Sequence, residues 1–299
     1  MTIVLGTLQL GILYGLLAIG IYISFRILNT PDLTAEGSFT FGLAVSAVVA
    51  SAGHPYLALI LGMLAGAVAG AVTGILQTKC KIHPVLAGIL TMSALYSINM
   101  FVMGAKANIT LIGVKTVFTD AISAFSVLDK EVVKLMVIIA FTAIFAAILI
   151  VFFKTHTGLC IRAAGDNETM VRASSINGDA VRIIALCISN AFIALNGALI
   201  AQYQCFADIN SGVGILVVGL ASVIIGEVIF GKRSVTIGII CAVAGSLIYR
   251  TIIAIATDLN LLPAYMLKLV SAIIVAIALT VPAIKAAVRR SKIKKGGAH

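Results

Sequence analysis

Long apolar stretches constrain the fold of this chain more than any other feature of its sequence. An α-helix needs about 20 mostly apolar residues to cross the hydrocarbon core of a bilayer, and about nine stretches approach or reach that length. We place these predicted spans at residues 3–25, 38–52, 55–78, 84–103, 134–153, 183–205, 213–231, 234–257 and 264–284. The pattern predicts an all-α, polytopic transmembrane bundle of about eight to ten helices, forming a single domain over residues 1–284.

The composition agrees with a membrane protein and argues against nucleic-acid binding. Of 299 residues, 61% are hydrophobic and 11% are charged, whereas soluble domains carry about 25% charged residues. The net charge of +10 comes from short loops between apolar spans and from a basic tail at 285–299. We expect that tail to be cytoplasmic and to lie near anionic lipid headgroups.

The positions of Lys and Arg predict the orientation of the chain. With the N-terminus outside, 15 basic residues fall in inward loops and the tail, against four in outward loops. Because cytoplasmic loops are enriched in Lys and Arg, this distribution predicts an N-out, C-in topology.

A basic polar loop at 154–182 interrupts the apolar pattern. Asp166 or Asn167 can cap a short helix within it, Glu168 suits the first helical turn, and Gly178 can end the helix after about three turns at most. The residues at helical spacing along it form a small uncharged face: Met170, Ala173, Ser174 and Asn177. Such a face suits a groove in a partner protein.

This loop resembles the coupling loop of ATP-binding-cassette (ABC) importer permeases, in the family that handles branched-chain amino acids and ribose-type sugars. The likeness rests on Arg162, Ala163, Gly165, Asn167, Ala173, Ile176, Asn177 and Arg182, followed by the run SNAFIALNGALIAQ from Ser189 to Gln202. It is strongest to a branch with proposed aromatic amino acid importers, and there it extends from Phe206 to Gly231. Ser175 departs from the family, which usually has glycine at this position.

The resemblance implies that the chain is a permease subunit in a bacterial inner membrane. It implies a pathway for a small solute, first of all an amino acid, with sugars or nucleosides as open alternatives. The implied partners are a cytoplasmic ATPase, an extracytoplasmic substrate-binding protein and a second permease copy as a homodimer. No cofactor is implied for this chain, and ATP is used by the partner subunit. The implied ATPase-coupling residues are Arg162, Gly165, Asp166, Asn167, Glu168, Met170, Ala173, Ser174 and Asn177.

The residues themselves favour a transport subunit over an enzyme. A phosphate-binding loop requires the pattern G-x-x-x-x-G-K-[ST], which this sequence lacks, so ATP hydrolysis requires another subunit. The five cysteines and four histidines show no metal-binding spacing. The alternative is an ion-gradient-driven secondary transporter or channel, which would normally bury carboxylates in its spans. Only Glu227 qualifies in the predicted spans, and it can instead pair with Lys232 or Arg233.

Polar residues at membrane depth identify a candidate pathway, because such residues usually face a cavity or a partner. The stretch 29–42 can be a broken helix lining the pathway or a solvated cytoplasmic loop, and it is similar to an Asn-x-Asp-Leu-Ser-x-Gly-Ser run in sugar-importing relatives. The predicted pathway residues are Asp32, Ser38, Asn99, Asn190 and Asn196. The last two are six positions apart, so one can face the pathway while the other bonds a neighbouring helix.

Four glycines predict a tight helix seam. Gly62, Gly66, Gly70 and Gly74 recur at every fourth position of one predicted span. Small residues on one face let a second helix approach closely in a membrane. We expect this seam to lie within one subunit.

Overall fold

The computed structural model describes residues 2–125, 129–174, 176–231 and 234–258, together with positions 269, 272, 273, 276 and 280. Most of the predicted span at 264–284, and all of the basic tail at 285–299, lie outside the described residues. So do Ser175, Lys232 and Arg233.

The described chain is a helical bundle with one short β-ladder. The helices are α1 (Thr2–Ile21) with a π-helical continuation (Tyr22–Ile27), α2 (Thr34–Ser51), α3 (Pro55–Thr78), α4 (Pro84–Val102), α5 (Val117–Ala124), α6 (Lys130–Phe152), α7 (His156–Asp166), α8 (Glu168–Ala173), α9 (Gly178–Gln204), α10 (Ile215–Phe230) and α11 (Val235–Asp258). Strand β1 (Asn108–Thr110) pairs antiparallel with β2 (Phe206–Asp208), a ladder that the sequence analysis did not predict.

Six of these helices are long and apolar enough to cross a membrane. They are Val4–Ile27, Pro55–Thr78, Pro84–Val102, Lys130–Phe152, Gly178–Gln204 and Val235–Thr257. The predicted spans at 38–52 and 213–231 appear as the shorter helices α2, of 18 residues, and α10, of 16 residues. The multi-span helical bundle predicted from the sequence is confirmed.

Helix α9 lies at the centre of the bundle, where it packs against α1, α2 and α3. In the most apolar 18-residue stretch of α9, 78% of the residues are buried. In the corresponding stretch of α6, 17% are buried. Helix α6 therefore lies at the periphery, where its apolar side chains suit contact with lipid.

The glycine seam of α3 packs directly against α9. A Cβ atom at Gly66 would collide with the Ala194 side chain and the Asn190 carbonyl, and one at Gly70 would collide with the Leu186 carbonyl. The seam thus lies within one subunit, as expected, and it brings the two helix backbones into contact.

The stretch after the first span is a broken helix rather than a solvated loop. Helix α2 begins at Thr34, and the preceding Asp32 bonds to Asn190, which is the thirteenth of the 27 residues of α9. At about 1.5 Å per residue, that contact lies about 20 Å from either end of α9. Helix α2 therefore starts near the middle of the bundle.

Helix α10 starts in the same region. The backbone N–H of Gly214, immediately before α10, donates to the Glu36 carboxylate in the first turn of α2 at 3.0 Å. Two short helices thus begin side by side inside the bundle, a geometry found where discontinuous transmembrane helices form a transport site.

The basic loops predicted to face the same side share one end of the bundle. Arg26 forms an ion pair with Glu227 at 2.6 Å, a partner for Glu227 that the sequence analysis did not predict. Lys79 lies 4.0 Å from Asp179 at the start of α9. At the opposite end, the Gln202 side chain bonds to the first residues of two other helices, Pro55 and Val117.

The α3–α9 seam predicts a sharp difference between two Gly→Ala variants. Gly66→Ala should lower the melting temperature of the purified protein, because the added methyl overpacks the seam and typically costs about 1–3 kcal/mol. Gly6→Ala is the matched control, since a Cβ at Gly6 meets nothing within 4 Å. Thermal unfolding in detergent measures both variants, and equal melting temperatures would contradict the close approach.

Candidate functional site

The loop predicted to couple to an ATPase folds as two short helices, α7 and α8. Asn167, one of the two residues predicted to cap the short helix, caps α8: its Oδ1 accepts from the Met170 backbone N–H at 3.0 Å and from the Thr169 hydroxyl at 2.6 Å. The sequence analysis missed α7, whose N-cap Thr155 accepts from the Gly158 N–H at 3.4 Å.

The predicted end of α8 at Gly178 is wrong. Helix α8 ends at Ala173, and Gly178 is the first residue of α9. The reason is the side chain of Asn177, whose Oδ1 accepts from the Ala180 N–H at 3.1 Å and so starts a new helix. Asn177 therefore belongs to the cap of α9 and not to a helical face of α8.

The outer face of α8 is open to solvent. Met170 is 67% exposed, and Ala173 and Ser174 are also exposed. Val171, on the other side of the helix, is buried. Helix α8 is thus anchored by one buried apolar residue, and a small uncharged face is exposed. We call this face the α8 face (Met170, Ala173 and Ser174). Glu168 lies at the first position of α8.

The remaining predicted coupling residues, Arg162, Gly165 and Asp166, lie on α7. A Cβ at Gly165 would collide with the Ile27 carbonyl, and the Gly165 carbonyl accepts from Asn29 Nδ2 at 3.3 Å. Arg162 and Asp166 line a polar cavity of about 270 Å³ between α7, the π-helix and the start of α11. Helix α7 thus connects α8 to the end of the first span.

Two of the predicted pathway residues form a buried polar cluster. Asp32 is 2% exposed, and its carboxylate accepts from the Thr34 N–H at 3.0 Å and from Asn190 Nδ2 at 2.7 Å. The Thr34 hydroxyl lies 2.8 Å from the Thr73 hydroxyl. Since a buried carboxylate requires hydrogen-bond donors, this cluster ties α2 to α3 and α9.

Asn196 lies apart from that cluster. Its Nδ2 donates to the Leu13 carbonyl of α1 at 2.5 Å, and its side chain is fully buried. The two asparagines therefore face different helices, as their spacing predicted. The assignment of Asn196 to the pathway stays a prediction, and in this structure the residue bonds to α1. Ser38 is also fully buried.

Asn99 lines a second cavity, which we call the α2–α4 cavity, of about 360 Å³. Its Nδ2 donates to the Gly37 carbonyl at 3.3 Å. The cavity is lined by Glu36, Gly37, Thr40, Met92, Ser93, Tyr96, Asn99, Ile209, Gly212 and Val213. It lies where α2 and α10 begin, and its volume is in the range that is usual for small-molecule sites.

The sequence analysis missed Glu36, Ser93 and Tyr96 as cavity residues. A signal was present on α4, because Ser93, Tyr96 and Asn99 recur at every third position and so share one helix face. Within the described residues, no group of three or more His, Cys, Asp or Glu side chains could hold a metal ion.

The two asparagines of α9 allow a matched prediction. Asn190→Ala takes a hydrogen-bond donor away from the buried carboxyl group of Asp32, and a buried acceptor left without its partner typically costs about 1–3 kcal/mol. Asn196→Ala removes a bond to a neutral carbonyl, worth about 0.5–1.5 kcal/mol. We expect the first variant to unfold at a lower temperature than the second at neutral pH. The reverse order in a thermal stability assay would contradict the proposed environment of Asp32.

Comparison with known proteins places these features in a family. The family described as the permease component of the branched-chain amino acid transport system matches residues 3–279. A tyrosine transport system permease protein of Clostridioides difficile (strain R20291) is 36% identical over 273 residues, which are 91% of this chain and 88% of that protein. A Rickettsia prowazekii (strain Madrid E) protein, named only as uncharacterized, is 34% identical over 77% of this chain and 79% of its own length.

A more distant relative also belongs to an import system. The autoinducer 2 import system permease protein of Yersinia enterocolitica is 25% identical over 71% of this chain and 56% of its own length. No solved structure matches the chain. Since the family match spans nearly the whole sequence, the chain belongs to the branched-chain amino acid permease family and is a multi-pass membrane permease component of an ABC importer, not an enzyme.

Proposed function

We propose that this chain forms the pathway by which an amino acid enters a bacterial cell across the inner membrane. The solute arrives on an extracytoplasmic binding protein, and separate ATPase subunits supply the energy. The observation that carries this proposal is the α8 face, which is exposed beside a bundle whose polar pathway residues are buried. The tyrosine transport permease among the relatives supports an amino acid, and an aromatic one first, as the solute.

The proposed orientation places the end of the bundle that carries α7 and α8 in the cytoplasm. Arg26 and Arg162 line one cavity at this end, and Lys79 lies near Asp179 there. Since Lys and Arg concentrate in cytoplasmic loops, this gathering of basic residues supports the N-out, C-in topology. The α8 face then points toward a cytoplasmic partner.

A second copy of the chain completes the proposed pathway. Ser93 is exposed and Tyr96 is 52% exposed, and both residues lie at the rim of the α2–α4 cavity on α4. An isolated subunit would present this polar rim to lipid. A second copy facing the rim would instead enclose the cavity in a path between the two subunits, which supports the homodimer.

The contacts of α7 provide a route for mechanical coupling. Force on α8 reaches α7, and Gly165 transmits it to Ile27 and Asn29 at the end of the first span. The Arg26–Glu227 ion pair then connects the π-helix to α10, which begins beside the α2–α4 cavity. Closure of an ATPase dimer can in this way move the helices that line the pathway.

The docking role of the α8 face predicts the effect of one charge. Ala173→Glu should leave the fold intact, because Glu is a good helix former and the site is exposed. The bulky carboxylate should prevent the small face from entering a groove in the ATPase. We expect a normal amount of protein in the membrane, loss of most transport and poor copurification with the ATPase.

The matched control is Ala124→Glu, which places the same charge on the exposed end of α5, near the other end of the bundle. This control should retain the ATPase. If the Ala173→Glu variant retained the ATPase fully and transported normally, the proposed docking role of the α8 face would be contradicted.

A further inference from the structure

Two of the side chains that line the α2–α4 cavity, Asn99 and Glu36, carry hydrogen-bond acceptors. Asn99 is 1% exposed, and its Oδ1 has no partner among the described residues. The amide orientation is fixed by chemistry, because the Gly37 carbonyl opposite Nδ2 can only accept. Oδ1 is therefore a buried acceptor without a partner among the described residues, on a side chain that lines the cavity.

The charge of the cavity favours a cation. Glu36 lines it, and Oε1 of Glu36 accepts from the Gly214 N–H. No Lys, Arg or His is among the residues that line this cavity. An ammonium group would meet an opposite charge here, whereas a carboxylate would meet a like charge and no cationic partner.

The rest of the wall suits an apolar or aromatic side chain. Met92 and Tyr96 from α4 face Ile209 and Val213 from the segment before α10. Thioether and aromatic groups make favourable contacts with an aromatic ring. The volume of about 360 Å³ falls within the range of about 300–1,000 Å³ that is usual for small-molecule sites.

We propose that the α2–α4 cavity binds a solute in transit by its ammonium group and its apolar side chain, and does not recognise its carboxylate. Glu36 and the Asn99 Oδ1 receive the ammonium, and Tyr96 contacts the side chain. This inference rests on the proposed function and specifies which part of an amino acid the permease reads. Amines without a carboxylate should therefore bind as well as the corresponding amino acids.

A ligand series on the wild-type chain tests this directly. The full chain is placed in lipid nanodiscs without a binding protein, and binding of radiolabelled tyramine, which is tyrosine without its carboxylate, is measured. Unlabelled tyrosine should displace tyramine, whereas 4-hydroxyphenylpropionate, which lacks the ammonium group, should not. Absence of tyramine binding, or equal displacement by 4-hydroxyphenylpropionate, would overturn the proposal.

Two variants locate the binding. Glu36→Gln keeps an oxygen that can accept from Gly214 but loses the charge, and we expect it to bind tyramine at least tenfold more weakly. Ser97→Ala, on α4 but outside the cavity lining, should bind like the wild type. Unchanged affinity in Glu36→Gln would overturn the assignment of the ammonium site.

A separate uptake assay distinguishes this inference from the function on which it rests. If the wild-type importer takes up tyrosine with ATP while the chain fails the tyramine tests, the cavity proposal is wrong and the function stands. If the reconstituted importer takes up no amino acid, the proposed function itself is wrong.

Discussion

The structure depends on the close backbone approach of α9 to α2 and α3. In a membrane, helix association relies on van der Waals contact because lipid is as apolar as the helix surface. Glycines on three helices make the approach possible: Gly42 lies against the Ala194 carbonyl, Gly66 against the Asn190 carbonyl, and Gly197 against the Phe39 carbonyl. This packing sets the position of Asn190, and it is what allows Asn190 to reach Asp32 across the interface.

The position of Asn190 makes two broken helices possible inside the bundle. The N-terminus of each short helix has a carboxylate from the chain itself: Asp32 accepts from the N–H of Thr34 at the start of α2, and Glu36 accepts from Gly214 before α10. Backbone groups freed by a break in a membrane helix must find partners within the protein. Asp32 and Glu36 are thus two carboxylates inside the bundle, in addition to the Glu227 considered from the sequence, and both have structural partners.

Apolar runs and proline made most of the span boundaries predictable. The prediction of 55–78 coincides with α3, and 84–103 differs from α4 by one residue, since proline marks the first residue of both helices. The end of α8 was not predictable from glycine alone. Gly178 fits the end of one helix and the start of another, and the choice depends on whether the Asn177 side chain reaches the Ala180 N–H.

The candidate site could be predicted only in part from the sequence, because the presence of a polar residue in a predicted span does not indicate which helix its side chain contacts. Asn190 and Asn196 are equally polar and equally buried, yet one bonds to Asp32 and the other to α1. The pairing of Arg26 with Glu227 joins residues about 200 positions apart, and no local pattern reports such a contact.

The central claim is that a cavity with Glu36 and Asn99 in its wall lies inside the bundle, between α2, α4 and the start of α10. Labelling by a charged, water-soluble methanethiosulfonate reagent tests it most directly, in a chain whose native cysteines have been replaced. A cysteine at Ser93, on the cavity rim, should react, while one at Ile144, which is 56% exposed on the peripheral helix α6, should face lipid and stay unreactive. Equal reactivity at the two positions, or reaction only at position 144, would contradict the account.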